Sequence, residues 1–280
     1  MSRALVLGGG GSAAVGWELG VLQGLAEAGF AAQQADTLIG TSAGAIVAAR
    51  LASSVSIALL YKEICTAVAA EALAIDYDAV AQAWMEAVVG AESAVVARRR
   101  IGAFAQAAET MPEAQRRGEI RAMLPAAEWP QRPVTLCAVS AESGEFATLT
   151  ASSGVDFVDA VAASCAVPGV WPPVTIGGEL FMDGAVRSPT NTSVAQGHEH
   201  VLVLAPMVPP GRGGIDAELS RLHPAATAAI VADAESVASF GNNPLDPGVA
   251  PAAAEQGYRQ GLAEADRLRV ALPSWTAQTE

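Results

Sequence analysis

The chain has 280 residues, 51% hydrophobic and only 5% aromatic, enough to bury roughly three quarters of its unfolded surface in one compact core of closely packed helices and tight turns. Its formal net charge of -13, with 16 Lys and Arg spread along the chain, speaks against a nucleic-acid partner, which needs clustered cations, and disfavours stable docking on anionic membranes. Cys65, Cys137 and Cys165 show no C-x-x-C spacing, so buried free thiols are expected, not a zinc site or a disulfide framework.

Ala4 to Leu7 is a short apolar run that ends in Gly8-Gly9-Gly10-Gly11, and Val15 to Ala28 then carries apolar residues at helical spacing, among them Leu19, Leu22 and Leu25. The same unit returns when Thr37 to Ile39 runs into Gly40-Thr41-Ser42-Ala43-Gly44 and the helical Ala45 to Ala52. Two successive strand-turn-helix units predict a parallel α/β sheet with its functional groups at the carboxyl ends of the strands. Residues 57–123 are rich in Ala, Glu, Gln, Arg and Leu with few breakers, which predicts several helices and no strand, as a helical insertion that forms a layer or a cap.

Strands are predicted over Val134 to Val139 and Phe146 to Thr150, and a short helix over Asp156 to Ser164. Ile176-Gly177-Gly178-Glu179 has the form of a tight hairpin turn leading into Leu180 to Met182, and Val201 to Leu204 is a short buried strand. Ile215 to Phe240 and Ala252 to Leu272 are predicted as helices on either side of the breaker cluster Asn242 to Pro251. The start of the chain has no signal-peptide core, and no apolar stretch reaches about 18 residues, so a cytoplasmic protein is expected.

Gly40-Thr41-Ser42-Ala43-Gly44 fits G-x-S-x-G, in which small residues two before and two after the serine let a strand turn sharply into a helix and leave the hydroxyl exposed. A helix start also favours a developing alkoxide through its dipole. The alternative is a glycine-flanked helix cap. A serine nucleophile needs a base, yet His198, His200 and His223 follow no triad layout and are expected at surface or structural positions. Asp183, directly after Leu180 to Met182 and before Gly184, is the carboxylate candidate, the alternative being a plain Asp-Gly turn. It would serve only if dehydration lifted its pKa toward the working pH.

The glycine run between strand and helix leaves amides free to converge on an anion, which in an acyl hydrolase is the tetrahedral oxyanion. Gly8, Gly10 and Ala13 with Asp36 also fit a weak dinucleotide fingerprint, but that leaves Gly40 to Gly44 unexplained. There is no P-loop and no cluster of His, Cys and carboxylate with metal-ligand spacing.

Taken together, Gly8-Gly9-Gly10-Gly11, Gly40-Thr41-Ser42-Ala43-Gly44 and Asp183-Gly184-Ala185 resemble, in order and spacing, the three blocks of patatin-like phospholipases. Ala163-Ser164-Cys165-Ala166-Val167-Pro168-Gly169-Val170-Trp171-Pro172-Pro173 resembles the block before that family's aspartate, and Val186-Arg187-Ser188-Pro189-Thr190-Asn191 its continuation. The resemblance implies a three-layer α/β/α sandwich with a mostly parallel sheet, no metal or cofactor, and hydrolysis of lipid acyl esters by a Ser-Asp dyad. It implies Ser42 as nucleophile, Asp183 as base, and the amides of Gly9, Gly10 and Gly11 as the oxyanion hole. Transient contact with a membrane or micelle would deliver the lipid. Ala13 and Ala14 stand where the family's glycine block continues with a basic residue and a glycine, so that cation is missing. This departure motivates the alternative of a catalytically weak lipid-binding or scaffolding protein on the same fold.

Overall fold

The computed structural model describes residues 1–67, 75, 77–208, 214–222 and 226–276. Strands β1 (Arg3–Leu7) and β2 (Thr37–Thr41) each run into a helix, α1 (Gly11–Glu27) and α2 (Ala43–Leu51). Both strands are buried on both faces after their first residue, as parallel strands between two helical layers must be. Four helices follow, α3 (Ile57–Cys65), α4 (Tyr77–Val88), α5 (Ala94–Ala107) and α6 (Glu113–Met123). Next come β3 (Val134–Ser140), β4 (Phe146–Leu149), α7 (Phe157–Ser164), β5 (Val174–Ile176), β6 (Glu179–Asp183) and β7 (His200–Ala205). The described chain closes with α8 (Gly214–Leu219), β8 (Ala226–Val231), α9 (Ala234–Ser239) and α10 (Ala250–Ala271).

The eight strands form one sheet in the bonded order β5-β6-β3-β2-β1-β7-β8, with β4 also on β3. Strands β1, β2, β3, β7 and β8 are parallel, while β4 and β6 run against β3. Alternate residues of β1 enter different cores: Leu5 and Leu7 pack with α1, α2, α7 and α10, while Ala4 and Val6 pack toward α8. Helices thus cover both faces, giving the expected three layers.

Three local outcomes refine the sequence expectations. The described helices of residues 57–123 divide between layers instead of forming one cap: α3 lies on α1 and α10, α6 lies on α7, and α5 approaches β3. Gly177 and Gly178, both with positive φ, make the two-residue turn between β5 and β6. The predicted helix from Ile215 to Phe240 is overturned, because its middle is the strand β8, parallel to β7 from His200↔Ala226 to Ala205↔Val231. Ala-Thr-Ala-Ala-Ile-Val has no breaker to interrupt a helical reading, but its β-branched Thr, Ile and Val suit a strand, and the open edge of β7 offers its backbone a ladder. Among the described residues no helix is long and apolar enough to cross a membrane.

Candidate active site

The register of β3 brings the two candidate side chains together. Strand β4 occupies one edge of β3 continuously from Leu136 to Val139. The other edge must therefore hold both β2, which ends at Thr41↔Cys137, and β6, which ends at Ala138↔Asp183. The two strands meet end to end at consecutive rungs, and Ser42 leaves β2 where Asp183 arrives on β6.

Ser42 turns the chain with φ of 55° and ψ of -118°, one of two non-glycine residues with positive φ among the described residues. A β-carbon in that region is strained, and the surroundings hold it there. The Ser42 amide donates to Ser164 Oγ at 3.0 Å, Ser164 Oγ donates to the Cys137 carbonyl at 2.7 Å, and Cys165 Sγ donates to the Ser42 carbonyl at 3.2 Å. A Cβ on Gly40 would collide with the Gly44 carbonyl and Ala45, and one on Gly44 with the Leu7 carbonyl. Both flanking glycines are thus required by close backbone approach, not by flexibility.

Asp183 is 1% exposed. Its Oδ1 accepts from the Ala185 amide at 2.8 Å, and its Oδ2 is buried and meets no geometric hydrogen-bond partner among the described residues. Burial pushes its pKa from the ordinary carboxylate range up to about 7, against smaller opposing effects of the Ser42 hydroxyl and the Ala185 amide. The Ser42 hydroxyl, as a hydrogen-bonding neighbour of the carboxyl, thus partly offsets the effect of burial.

The glycine run sits beside this pair. A Cβ on Gly9 would lie 3.2 Å from Ser42 Cβ. Gly10 and Gly11 have φ of 152° and 68°, and their amides carry no hydrogen bond to another described residue. Gly8 donates to the Leu204 carbonyl at 3.1 Å and to Glu18 Oε1 at 2.7 Å. Glu18, fully buried in α1 with Oε2 unpartnered, has its pKa raised well above the usual value by burial.

A family model described as patatin-like phospholipase matches residues 5–195. The chain belongs to the patatin-like phospholipase family. It is an ester-bond hydrolase, and lipid acyl esters are the substrate class the family brings. No curated protein matches the chain. Among solved structures it is similar to VipD from Legionella pneumophila, at 12% identity and a TM-score of 0.48, with 95% of this chain and 67% of that chain covered. It is also similar to the type III effector protein ExoU, at 15% identity and a TM-score of 0.43, with 95% of this chain covered and about half of ExoU spanned, 53%.

Within this patatin-like chain, one expected site residue is corrected. The Gly9 amide donates to the Pro189 carbonyl at 2.8 Å, so it is already spent and does not point at an oxyanion. Ala13 and Ala14 are fully buried, and the Ala13 amide donates to the Pro244 carbonyl at 3.0 Å, which leaves no room there for a basic side chain. His200 opens β7 opposite Arg3, at the far end of the sheet from the glycine run that follows Leu7. His198 lies just before it, with Nδ1 3.1 Å from the Ala195 carbonyl. His223 lies outside the described residues. Of the cysteines, Cys137 and Cys165 are buried and Cys65 is half-buried, and all are free. Among the described residues no three of His, Cys, Asp and Glu come together as a metal site.

Glu18, Ser164 and Asn191 were not singled out by the sequence as site residues. Asn191, 1% exposed, donates through Nδ2 to Thr41 Oγ1 at 3.1 Å and to the Gly184 carbonyl at 3.0 Å. It therefore ties the residue before Ser42 to the residue after Asp183. The family-like blocks around Ser164 and Asn191 were the only sequence signal for these two.

Proposed function

We propose that the chain cleaves lipid acyl esters with Ser42 as nucleophile and Asp183 as general base, through an acyl-serine intermediate. The observation that carries this reading is the buried, unpartnered Asp183 Oδ2 beside a serine on a strained strand-to-helix turn. Ser42 Oγ attacks the ester carbonyl carbon as its proton passes to Asp183. The oxyanion is held by the amides of Gly10 and Gly11, and the proton then goes to the departing alcohol. Water, deprotonated by Asp183, attacks the acyl carbon and releases the fatty acid and Ser42. A carboxylate with a pKa near 7 is matched to both transfers at neutral pH. Each oxyanion donor is worth about 3 to 4 kcal/mol in the transition state.

The sequence of steps needs no metal or cofactor, and a transient contact with a membrane or micelle supplies the lipid. Ser42→Ala is expected to abolish both fluorophosphonate labelling and p-nitrophenyl butyrate hydrolysis while the circular dichroism spectrum is unchanged. Turnover equal to that of the parent chain would overturn the assignment. Absence of labelling in the parent chain itself would favour the lipid-binding alternative.

A further inference from the structure

A cavity of about 470 Å³ opens on the other side of the sheet from Ser42. Its wall residues Ile101, Val186 and Leu222 pack with Cys137, Val139 and Met182. These strand residues alternate with Leu136, Ala138 and Phe181, which face α2 and α7. The cavity is therefore not the cleft above Ser42 and Asp183.

The cavity reverses the charge balance of the molecule. The whole chain has 29 acidic and 16 basic residues, yet the described residues that line the cavity include Arg98, Arg187 and Arg221 and, among them, one carboxylate, Glu218. The Glu218 oxygens accept from Ser188 Oγ at 3.1 Å and from Thr190 Oγ1 at 2.6 Å, so that charge is held by hydroxyls in the wall. Two of the guanidinium groups are fixed. Arg187 donates to Asn191 Oδ1 at 2.7 Å and Ser193 Oγ at 2.9 Å and lies 4.1 Å over the Phe146 ring. Arg98 Nε donates to the Gly144 carbonyl at 2.6 Å. Arg221 is exposed at the edge, where a ligand meets it at little desolvation cost.

We propose that this cavity binds a phosphate-bearing ligand at a site separate from Ser42. Fixed guanidinium groups lose little entropy on meeting an anion, and their planar forks match phosphate oxygens better than a lone ammonium does. The Ser93 and Ser193 hydroxyls in the same wall add neutral donors. The site also touches the ester-cleaving machinery. Arg187 orients Asn191, and Asn191 holds Thr41 and Gly184. A phosphate that draws on Arg187 thus acts on the neighbours of Ser42 and Asp183.

The shared chemistry is a phosphate ester, from a lipid headgroup or from a soluble metabolite, and two arms separate the sources. Calorimetric titration of the full chain uses glycerol 3-phosphate, and co-flotation uses phosphatidylcholine vesicles with and without phosphatidic acid. We expect saturable binding in at least one arm, weakened about tenfold or more by Arg221→Glu, less by Arg221→Lys, and progressively by salt. Binding to vesicles alone assigns the site to a lipid headgroup, and binding of glycerol 3-phosphate alone assigns it to a soluble ester. Because binding is read directly, the result does not depend on Ser42 being the nucleophile, and Ser42→Ala should bind as tightly as the parent. Absence of binding in both arms, binding unchanged by Arg221→Glu in folded protein, or binding lost in Ser42→Ala would each overturn the proposal.

Discussion

At the scale of single residues, the burial that suits Asp183 for base chemistry also opposes folding. Its folded pKa of about 7 lies above the ordinary unfolded value, so between roughly pH 4 and 7 the folded chain holds a proton that the unfolded chain has released. The contribution is most favourable below that window and is lost as pH rises through about 7, by on the order of 4 kcal/mol. Glu18, also buried with a raised pKa, shifts stability in the same sense. Asp183→Asn is therefore expected to melt above the parent at pH 8, with the gap closing toward pH 4, and to have lost hydrolysis throughout. In the parent, kcat/KM should rise with pH through about 7, as the base loses its proton. Scanning calorimetry and a pH-rate profile test both halves, and an Asp183→Asn variant less stable than the parent at pH 8 would contradict the first.

Much at this scale was legible. Gly40 and Gly44 are named by a motif whose spacing is a steric requirement, and Asp183 by its place between the apolar Leu180 to Met182 and Gly184. The Gly9 amide was misassigned because its acceptor, the Pro189 carbonyl, is 2.8 Å away in space but far along the chain. Asn191 was hidden for the same reason, since its value lies in bridging Thr41 and Gly184. Local pattern reveals where a backbone must bend, not which distant group will satisfy it.

At the scale of elements, the helix that carries the glycine run is seated on α10 through small residues on both sides. A Cβ on Gly16, Gly20 or Gly24 would overlap the carbonyls of Ala250, Ala254 or Tyr258, and one on Gly257 or Gly261 those of Trp17 or Val21. Trp17 Nε1 also donates to Gln260 Oε1 at 3.0 Å. Gly20→Ala should therefore cost on the order of 3 kcal/mol by forcing the helices apart, despite alanine's better helix propensity. Gly118 provides the contrast. It lies exposed in α6 with nothing within 4 Å of an added Cβ, and Gly118→Ala should gain about 1 kcal/mol. Urea unfolding of both variants measures the difference, and equal effects would show that the α1–α10 contact is loose. Both long helices were legible from their periodicity, whereas β8 was not, because a six-residue apolar run is too short for its periodicity to tell strand from helix and it takes its conformation from the strand beside it.

At the scale of the whole molecule, the family match ends at residue 195, but the sheet does not. Strand β1 is paired on one side by β2 and on the other by β7, which in turn carries β8. A chain shortened after Val249 keeps every strand but lacks α10. It is expected to lose fluorophosphonate labelling together with cooperative thermal unfolding. A shortened chain that labelled like the parent would mean that α1 holds the glycine run unaided.

The seam between α1 and α10 also bears on when the protein first becomes able to react. Translation produces α1 more than two hundred residues before α10, and contacts so distant in sequence form only after the intervening chain has been made. A nascent chain on the ribosome has its serine and its glycines early, but not the helix against which the glycines are set. An esterase of this design is expected to stay inert beside the lipids of the cell that makes it until α10 has been synthesised, a safeguard built from the order of translation.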